Sequence, residues 1–390
     1  MPDGRPFVHP KYSNDQLYTQ NMYRRLIAKL GTNLLTAGTD RLDLGVMSAV
    51  VGQVARLRQA GNEVIVVTSG AITAGRHRLG SIPRRRDIPA RQVLSAVGQS
   101  YLMQAYDQLF RWHDIVVAQT LLTRRDLSDR VGYLNARNTL LALLEMGVVP
   151  VVNENDAVAV EEIAETKIGD NDTLSALVAN LVDADLLAIL TTTKGLFTAD
   201  PHLDPAARLL DRVEHVDASI EQMAGAALSD RSIGGMVTKV RAAKLATASG
   251  VNVVIVDGHE PRVLERLAGG EAIGTFFPAN IDRVESRKRW MLAGLSSRGR
   301  ITVDAGAARA LREQNTSLLP AGIVSVEGPF DRGDAVEIGG PSGDRIGFGI
   351  SNYRDSDLER IRGQRSDQIA GVLGYEFGSA AVHRNNLVIG

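Results

Sequence analysis

The sequence predicts an α/β fold: a mostly parallel sheet with helices on both faces, followed by a smaller β-rich unit. Three observations carry this. Short runs of Val, Ile and Leu alternate with helical patterns at the spacing of βαβ units. Several of those runs empty into Gly, Ser, Thr, Asn or Asp, as strand-to-helix turns do at the ligand-binding edge of an open sheet. From about Ser296 the texture changes to short β-type runs separated by Gly, Pro, Asp and Asn turns.

Taken in order, Leu26–Leu30 reads as a strand broken by Lys29 and ended by Gly31-Thr32-Asn33, a turn whose N–H groups can face an anion. Leu44 to Ala60 has helical spacing and stops at Gly61. Glu63–Val67 is the next strand and runs into Thr68-Ser69-Gly70-Ala71, a second nest of small residues before a helix. Pro83-Arg84-Arg85-Arg86 follows; an Arg run in a loop is more often a solvated face than a nucleotide dock. Arg91 to Trp112 is helical, Ile115–Gln119 a strand, and Asp126 to Met146 helical up to Gly147. Val148–Val152 is a strand that feeds Asn153, Glu154, Asn155 and Asp156. Four polar side chains in a row predict an exposed tip, because each costs a few kcal/mol if buried unpaired. The chain returns through Gly169-Asp170-Asn171-Asp172, with Asn171 or Asp172 placed to cap the next helix, through Leu181. Leu186–Leu190 is a strand entering Thr191-Thr192-Thr193-Lys194-Gly195. Gly234-Gly235-Met236-Val237-Thr238-Lys239 opens a helix to Ser249, and Val251–Val256 is another strand, followed by a short helix over Pro261–Leu267. In the last unit, residues 301–303, 322–326, 335–338, 346–350 and 380–382 read as strands, and 305–313 and 356–361 as helices.

Composition narrows the function classes. A net charge of −1 and a pI near 6.7 give no reason to expect bulk binding to nucleic acid or an anionic membrane. Cysteine is absent, which removes disulfides, thiolate–metal sites and thiol nucleophiles and fits a reducing cytosol. No apolar run approaches the ~20 residues of a membrane span. MPDGRPFVHPKYSNDQLYTQ lacks the apolar core of a signal peptide, so a cytoplasmic location is expected.

The strand ends gather two chemistries. Lys29 and Lys239 each stand beside glycines and a helix start. Ser69, Asp156, Asp170, Asn171 and Asp172 form an acidic and amide rim that can hold an ammonium group, a metal ion or both. Phosphoryl transfer needs such a combination, since it depends on charge neutralisation and positioning more than on covalent help from the protein. The paired glycines before Lys239 are not a Walker A motif.

Lys29-Leu30-Gly31-Thr32, Thr68-Ser69-Gly70-Ala71-Ile72, Ala74-Gly75-Arg76, Ala96-Val97-Gly98-Gln99-Ser100, Leu134-Asn135-Ala136-Arg137, Asn153-Glu154-Asn155-Asp156-Ala157-Val158, Gly169-Asp170-Asn171-Asp172 and Gly234-Gly235-Met236-Val237-Thr238-Lys239 together resemble the glutamate 5-kinase family of the amino acid kinase superfamily. The C-terminal part, with Leu373-Gly374-Tyr375-Glu376 and Val382-His383-Arg384, resembles a PUA domain. The resemblance runs in order from about Arg25 to the C-terminus. It implies a three-layer αβα sandwich over residues 24–293 and a small β-rich PUA-like barrel over 297–390, behind an N-terminal extension of residues 1–23. It also implies ATP- and Mg²⁺-dependent phosphorylation of the γ-carboxylate of L-glutamate, the first step of proline biosynthesis, with proline as feedback inhibitor and a homodimer or homotetramer as the assembly.

By the same resemblance, Lys29 and Lys239 contact ATP phosphates and stabilise the transferring group, and Asp172 holds both lysines. Ser69, Asp156 and Asn171 bind glutamate, with Asp170 alongside. Gly31, Thr191, Thr192, Gly234, Gly235, Met236 and Thr238 border the nucleotide with the two lysines. No protein metal ligand is assigned. Where the family commonly has Asp, this chain has Thr192, which implies a changed nucleotide contact. An acidic rim independently favours a free amino acid over an acylated one, because a charge-assisted hydrogen bond from –NH₃⁺ to a carboxylate contributes roughly 1.5–3 kcal/mol. The alternatives are another amino acid kinase and a regulatory protein that binds RNA through the PUA-like unit, on a face built from Arg360, Arg362, Arg365 and Arg384.

Overall fold

Six strands pair in parallel because each is feeding a helix rather than a tight turn. In the computed structural model they are β1 (Arg25–Leu30), β2 (Glu63–Val67), β3 (Val117–Leu122), β4 (Val149–Glu154), β5 (Leu186–Thr191) and β6 (Asn252–Asp257). A short β7 (Thr275–Phe277) adds antiparallel to β6, giving the order β3-β4-β2-β1-β5-β6-β7. The structure describes residues 22–80, 87–158, 171–201, 203–226, 235–280, 297–314 and 316–389. The Arg84–Arg86 run, Lys167, Asp170 and Gly234 lie outside them.

The helices are α1 (Thr32–Leu35), α2 (Leu44–Gln59), α3 (Ala71–Leu79), α4 (Ile88–Arg111), α5 (Arg124–Ser128), α6 (Arg130–Glu145), α7 (Asn171–Leu181), α8 (Ala218–Ala226), α9 (Met236–Thr247) and α10 (Val263–Ala268). Alternation along β1 shows the layering. Leu26, Ala28 and Leu30 pack with α1, α2, α4 and α10 on one face, while Ile27 packs with α6, α7 and α9 on the other. These two buried clusters make a three-layer αβα sandwich. No described helix is long and apolar enough to cross a membrane.

Two of the sequence expectations for this half are corrected. The helix read over Asp126 to Met146 is two helices, broken at Asp129, whose carboxylate accepts from Gly132 N–H at 2.9 Å and starts α6. The strand expected over Ile115–Gln119 is displaced to Val117–Leu122, because Asp114 takes φ +56° and turns the chain first. β7 and α8 were not read as elements: β7 is three residues long, and the apolar stripe of α8, Ile220, Met223 and Ala224, spans little more than one turn.

The C-terminal unit has its own five-stranded sheet, β12-β11-β10-β8-β9, from β8 (Gly299–Val303), β9 (Ile323–Glu327), β10 (Ala335–Gly339), β11 (Arg345–Ile350) and β12 (Leu387–Ile389). Only β8 and β10 pair in parallel; the other ladders are antiparallel. Helices α11 (Ala305–Gln314), α12 (Asp355–Ile361) and α13 (Ile369–Leu373) close a separate core around Ile301, Val336, Ile346 and Leu358. Residues 380–382 do not form the expected strand. Val382 makes a single bridge to Leu318, and the strand forms at β12 instead. The two units meet where Leu134 of α6 packs with Ile350 and Val388, and Arg332 donates to Asn135 Oδ1 at 2.6 Å.

Candidate active site

The chain moves from β1 to β2, out to the edge at β3 and back to β4 between them, then crosses to the other side of β1 for β5 and β6. Such a reversal leaves a crevice outside the carboxyl ends of the strands. Lys29 lies at the end of β1 with Gly31 just after it, Ser69 follows β2, Asn153 and Glu154 end β4 with Asn155 and Asp156 next, and Thr191 ends β5 with Thr192 next. Leu30 lies beside Leu190 in register, so Gly31 and Thr191 sit at the same level of the sheet edge.

Lys29 from β1 and Lys239 from the first turn of α9 converge on one carboxylate, that of Asp172 in the first turn of α7. Lys29 Nζ pairs with Oδ1, and Lys239 Nζ lies 3.3 Å from Oδ2. Thr238 Oγ1 donates to the same Oδ2 at 2.7 Å. Lys29, Lys239 and Asp172 are only 4%, 7% and 2% exposed. Burial pushes the Asp172 carboxyl upward, but the Lys29 and Lys239 ammonium groups and the hydrogen bonds to it outweigh that and hold it at about 2. Two ammoniums and one carboxylate leave one net positive charge in a space nearly closed to water. A buried pair is weak as a source of stability, since desolvation offsets most of the attraction. Its worth here is positional: Asp172 keeps two long, flexible side chains aimed at one place.

The expectation that Asn171 or Asp172 caps α7 is therefore corrected. Asn171 already lies within the helix, and the Asp172 side chain turns to the lysines and Thr238. Asn171 turns the other way. Its Nδ2 donates to Ser69 Oγ at 2.9 Å and to Asn153 Oδ1 at 3.1 Å. Asn153 Oδ1 also accepts from Glu154 N–H at 2.9 Å, and Asn153 Nδ2 donates to Gln99 Oε1 at 2.8 Å. The exposed tip expected for β4 is likewise corrected: Asn153 and Glu154 are 2% and 5% exposed. The penalty for burying Asn153 is avoided because its amide is paired on both sides. Asp156 is half-buried and accepts from Ser95 Oγ at 3.0 Å.

Ser95 and Gln99 stand one turn apart on α4, and glycines put α4 there. A Cβ at Gly98 would lie 1.7 Å from Ala71 O, and one at Gly75 would lie 1.9 Å from Leu94 O. The backbones of α3 and α4 touch only because neither position carries a side chain. Sequence reasoning assigned no role to Ser95, Gln99 or Asn153. The available signal was a pair of polar residues at i and i+4 around a glycine, inside an otherwise apolar helix face.

At the start of α9, Gly235 caps the helix without a side-chain hydrogen bond, and Met236, Thr238 and Lys239 lie in its first turn. A Cβ at Gly31 would stand 3.6 Å from Lys29 Nζ, so glycine leaves that ammonium approachable. Thr192 is exposed, whereas the Thr193 hydroxyl is buried without a partner among the described residues. The structure thus brings Lys29, Lys239, Asp172 and Thr238 into one contact set and Ser69, Asn171 and Asn153 into a second beside it.

Residues 24–257 match the amino acid kinase family and residues 299–373 match the PUA domain. A glutamate 5-kinase of Dehalococcoides mccartyi is 53% identical over 95% of this chain and 99% of its own length. The chain belongs to the glutamate 5-kinase family. A glutamate 5-kinase of Herpetosiphon aurantiacus is 52% identical over 95% of the chain and 99% of its own. One from Deinococcus radiodurans is 50% identical over 94% and 99%. Within this family frame, Leu134-Asn135-Ala136-Arg137 has structural work to do. Leu134 and Asn135 hold the C-terminal unit. Buried Arg137 pairs with Asp183 at 2.5 Å and donates to Leu181 O, fixing the far end of the helix that starts with Asn171 and Asp172.

Proposed function

We infer that this protein transfers the γ-phosphoryl group of ATP to the γ-carboxylate of L-glutamate, giving L-glutamyl 5-phosphate for proline biosynthesis. The observation that supports it best is the junction at Asn171-Asp172, where a cationic pair and an amide-lined site are built from consecutive residues. A carboxylate oxygen of glutamate attacks the γ-phosphorus as the bond to the leaving ADP oxygen breaks. Lys29 and Lys239 offset the charge on the moving group, and Asp172 holds both in place. The half-buried Asp156 carboxylate, steadied by Ser95, is the acceptor for the substrate ammonium; Ser69 and Asn171 bind beside it, with Asp170 in the same motif. Gly31, Thr191, Thr192 and the segment from Gly234 to Lys239 border the nucleotide.

Mg²⁺ supplies charge neutralisation on the ATP phosphates. Among the described residues no group of three His, Asp or Glu is placed to hold a metal ion, and Asp172 is engaged by two lysines. Cytoplasmic location, feedback by proline and a homodimer or homotetramer are carried forward from the sequence. An RNA-binding face on the C-terminal unit has less support: Arg362 pairs with Glu359, Arg365 with Asp367, and Arg360 donates to Val372 O.

The test is ATP- and Mg²⁺-dependent γ-glutamyl hydroxamate formation, with L-glutamate, N-acetyl-L-glutamate and L-aspartate as parallel substrates and proline added to one set. Product from glutamate alone is the expected result. Equal turnover of either other substrate would overturn the assignment.

A further inference from the structure

We propose that Asn153 and Gln99 are positioning residues that fix the polarity of Asn171, so that its only acceptor atom, Oδ1, is reserved for a donor on the substrate. The inference rests on Asn171 belonging to the glutamate site. A primary amide can present either end to its neighbours, so which end faces a ligand has to be set by something that cannot turn over. Here that fixed point is the backbone N–H of Glu154. It donates to Asn153 Oδ1 at 2.9 Å, which makes the oxygen end of Asn153 the acceptor. The nitrogen end must then find an acceptor, and Gln99 Oε1 supplies it at 2.8 Å.

The polarity passes on from there. Because Asn153 shows an oxygen to Asn171, Asn171 must answer with its nitrogen, at 3.1 Å, and its second N–H goes to Ser69 Oγ at 2.9 Å. Both donors of Asn171 are then used. Its Oδ1 is buried and has no partner among the described residues. A buried acceptor without a donor is uncommon and costly in a folded chain, and it is relieved when a ligand donates to it. An ammonium group offers three donors, whereas an acylated nitrogen offers one and no charge. The chain of amides therefore selects against a substrate that lacks the nitrogen, and it does so through residues that need not touch the substrate. Gln99 is 7% exposed and Asn153 2%, so solvent does not replace these partners.

The experiment compares kcat/KM for L-glutamate and for glutarate, which lacks the amine, in the full chain and in Asn153→Leu, Asn153→Asp, Gln99→Met and Asn171→Leu. Asn153→Leu frees Asn171 to turn over. The glutamate-to-glutarate preference should fall about 10- to 100-fold, the range of one charge-assisted hydrogen bond. The loss should appear in KM for glutamate, with KM for ATP unchanged. Asn153→Asp keeps the acceptor that faces Asn171 and should hold the preference within about threefold, which a packing role alone would not predict. Gln99→Met should give an intermediate loss. Thermal melting identifies any variant that has not folded, and Asn153→Asp against Gln99→Met then decides the matter. An unchanged preference in Asn153→Leu, or an equal loss in Asn153→Asp, would overturn the proposal. Asn171→Leu separates the two levels: unchanged glutamate kinetics there would remove the underlying site assignment, whereas a raised KM there with no effect at Asn153 would remove only the relay.

Discussion

Asn171 and Asp172 are neighbours in sequence, yet they serve two differently built regions. Consecutive residues on a helix project about 100° apart, so the first turn of one helix faces both sides of a crevice. On the Asp172 side the parts are ions: two lysines and one carboxylate, all buried. On the Asn171 side they are neutral amides and a hydroxyl, linked in a chain whose direction is set by one backbone N–H. Charges act over distance and tolerate small displacements. Amides act only in contact and only in one orientation. In the proposed reaction, the phosphoryl end would thus depend on the presence of a few residue types, and the recognition end on how helices pack behind it.

The largest effect should come from the ionic side. Asp172→Ala and Lys239→Ala are each expected to lower kcat by at least about 10²-fold. Asp172→Ala should also lower stability by roughly 3–5 kcal/mol, because it leaves two buried ammoniums without their carboxylate. Steady-state kinetics and denaturant melts check both, and near-normal turnover in either variant would remove that residue from the mechanism.

The packing behind the amide side is tested by Gly98→Ala. Its Cβ would stand 1.7 Å from Ala71 O, so α3 and α4 must separate and carry Ser95 and Gln99 with them. We expect a loss of about 1–3 kcal/mol and a raised KM for glutamate, with KM for ATP little changed. Equal damage to both substrates would mean that the two regions are not separable in this way.

Removing single contacts on the recognition side should do less. Asp156→Ala is expected to raise KM for glutamate by about 10-fold or more at nearly constant kcat, and Ser95→Ala, which only steadies Asp156, by a few-fold. If Ser95→Ala proved the worse of the two, Asp156 would not be the ammonium acceptor.

The smallest effect in ordinary buffers concerns pH. The Asp172 carboxyl is depressed to about 2 from an ordinary value near 3.8. A depressed group contributes stability that is fully present above the unfolded value and is lost as pH falls through the folded one. The stability gap between the parent chain and Asp172→Asn should therefore shrink as the pH falls from about 4 to 2. A gap that held constant over that range would contradict the ion-pair account.

The family motifs and the strand ends were readable without coordinates, since Lys29 and Ser69 sit where apolar runs give way to small or polar residues, and Asp172 and Lys239 where polar or glycine-rich stretches open a helical pattern. Continuous apolar runs carried the positions of β1, β2, β5 and β6, because a parallel strand is buried on both faces. The break at Asp129 was not readable, since a capping Asp and an ordinary surface Asp look alike until the chain turns.

By itself, the sequence determined the α/β frame, because apolar period is a local property of residue type, and the family motifs it carries named the two lysines and Asp172. Only the tertiary structure decided that Asn153 is buried and paired, that Asp172 is not a helix cap, and that Gln99 reaches the site. Those facts depend on which side chains meet across β4, α4 and α7, residues separated by up to 72 positions between Gln99 and Asn171, and a hydrogen bond's direction has no signature in one dimension.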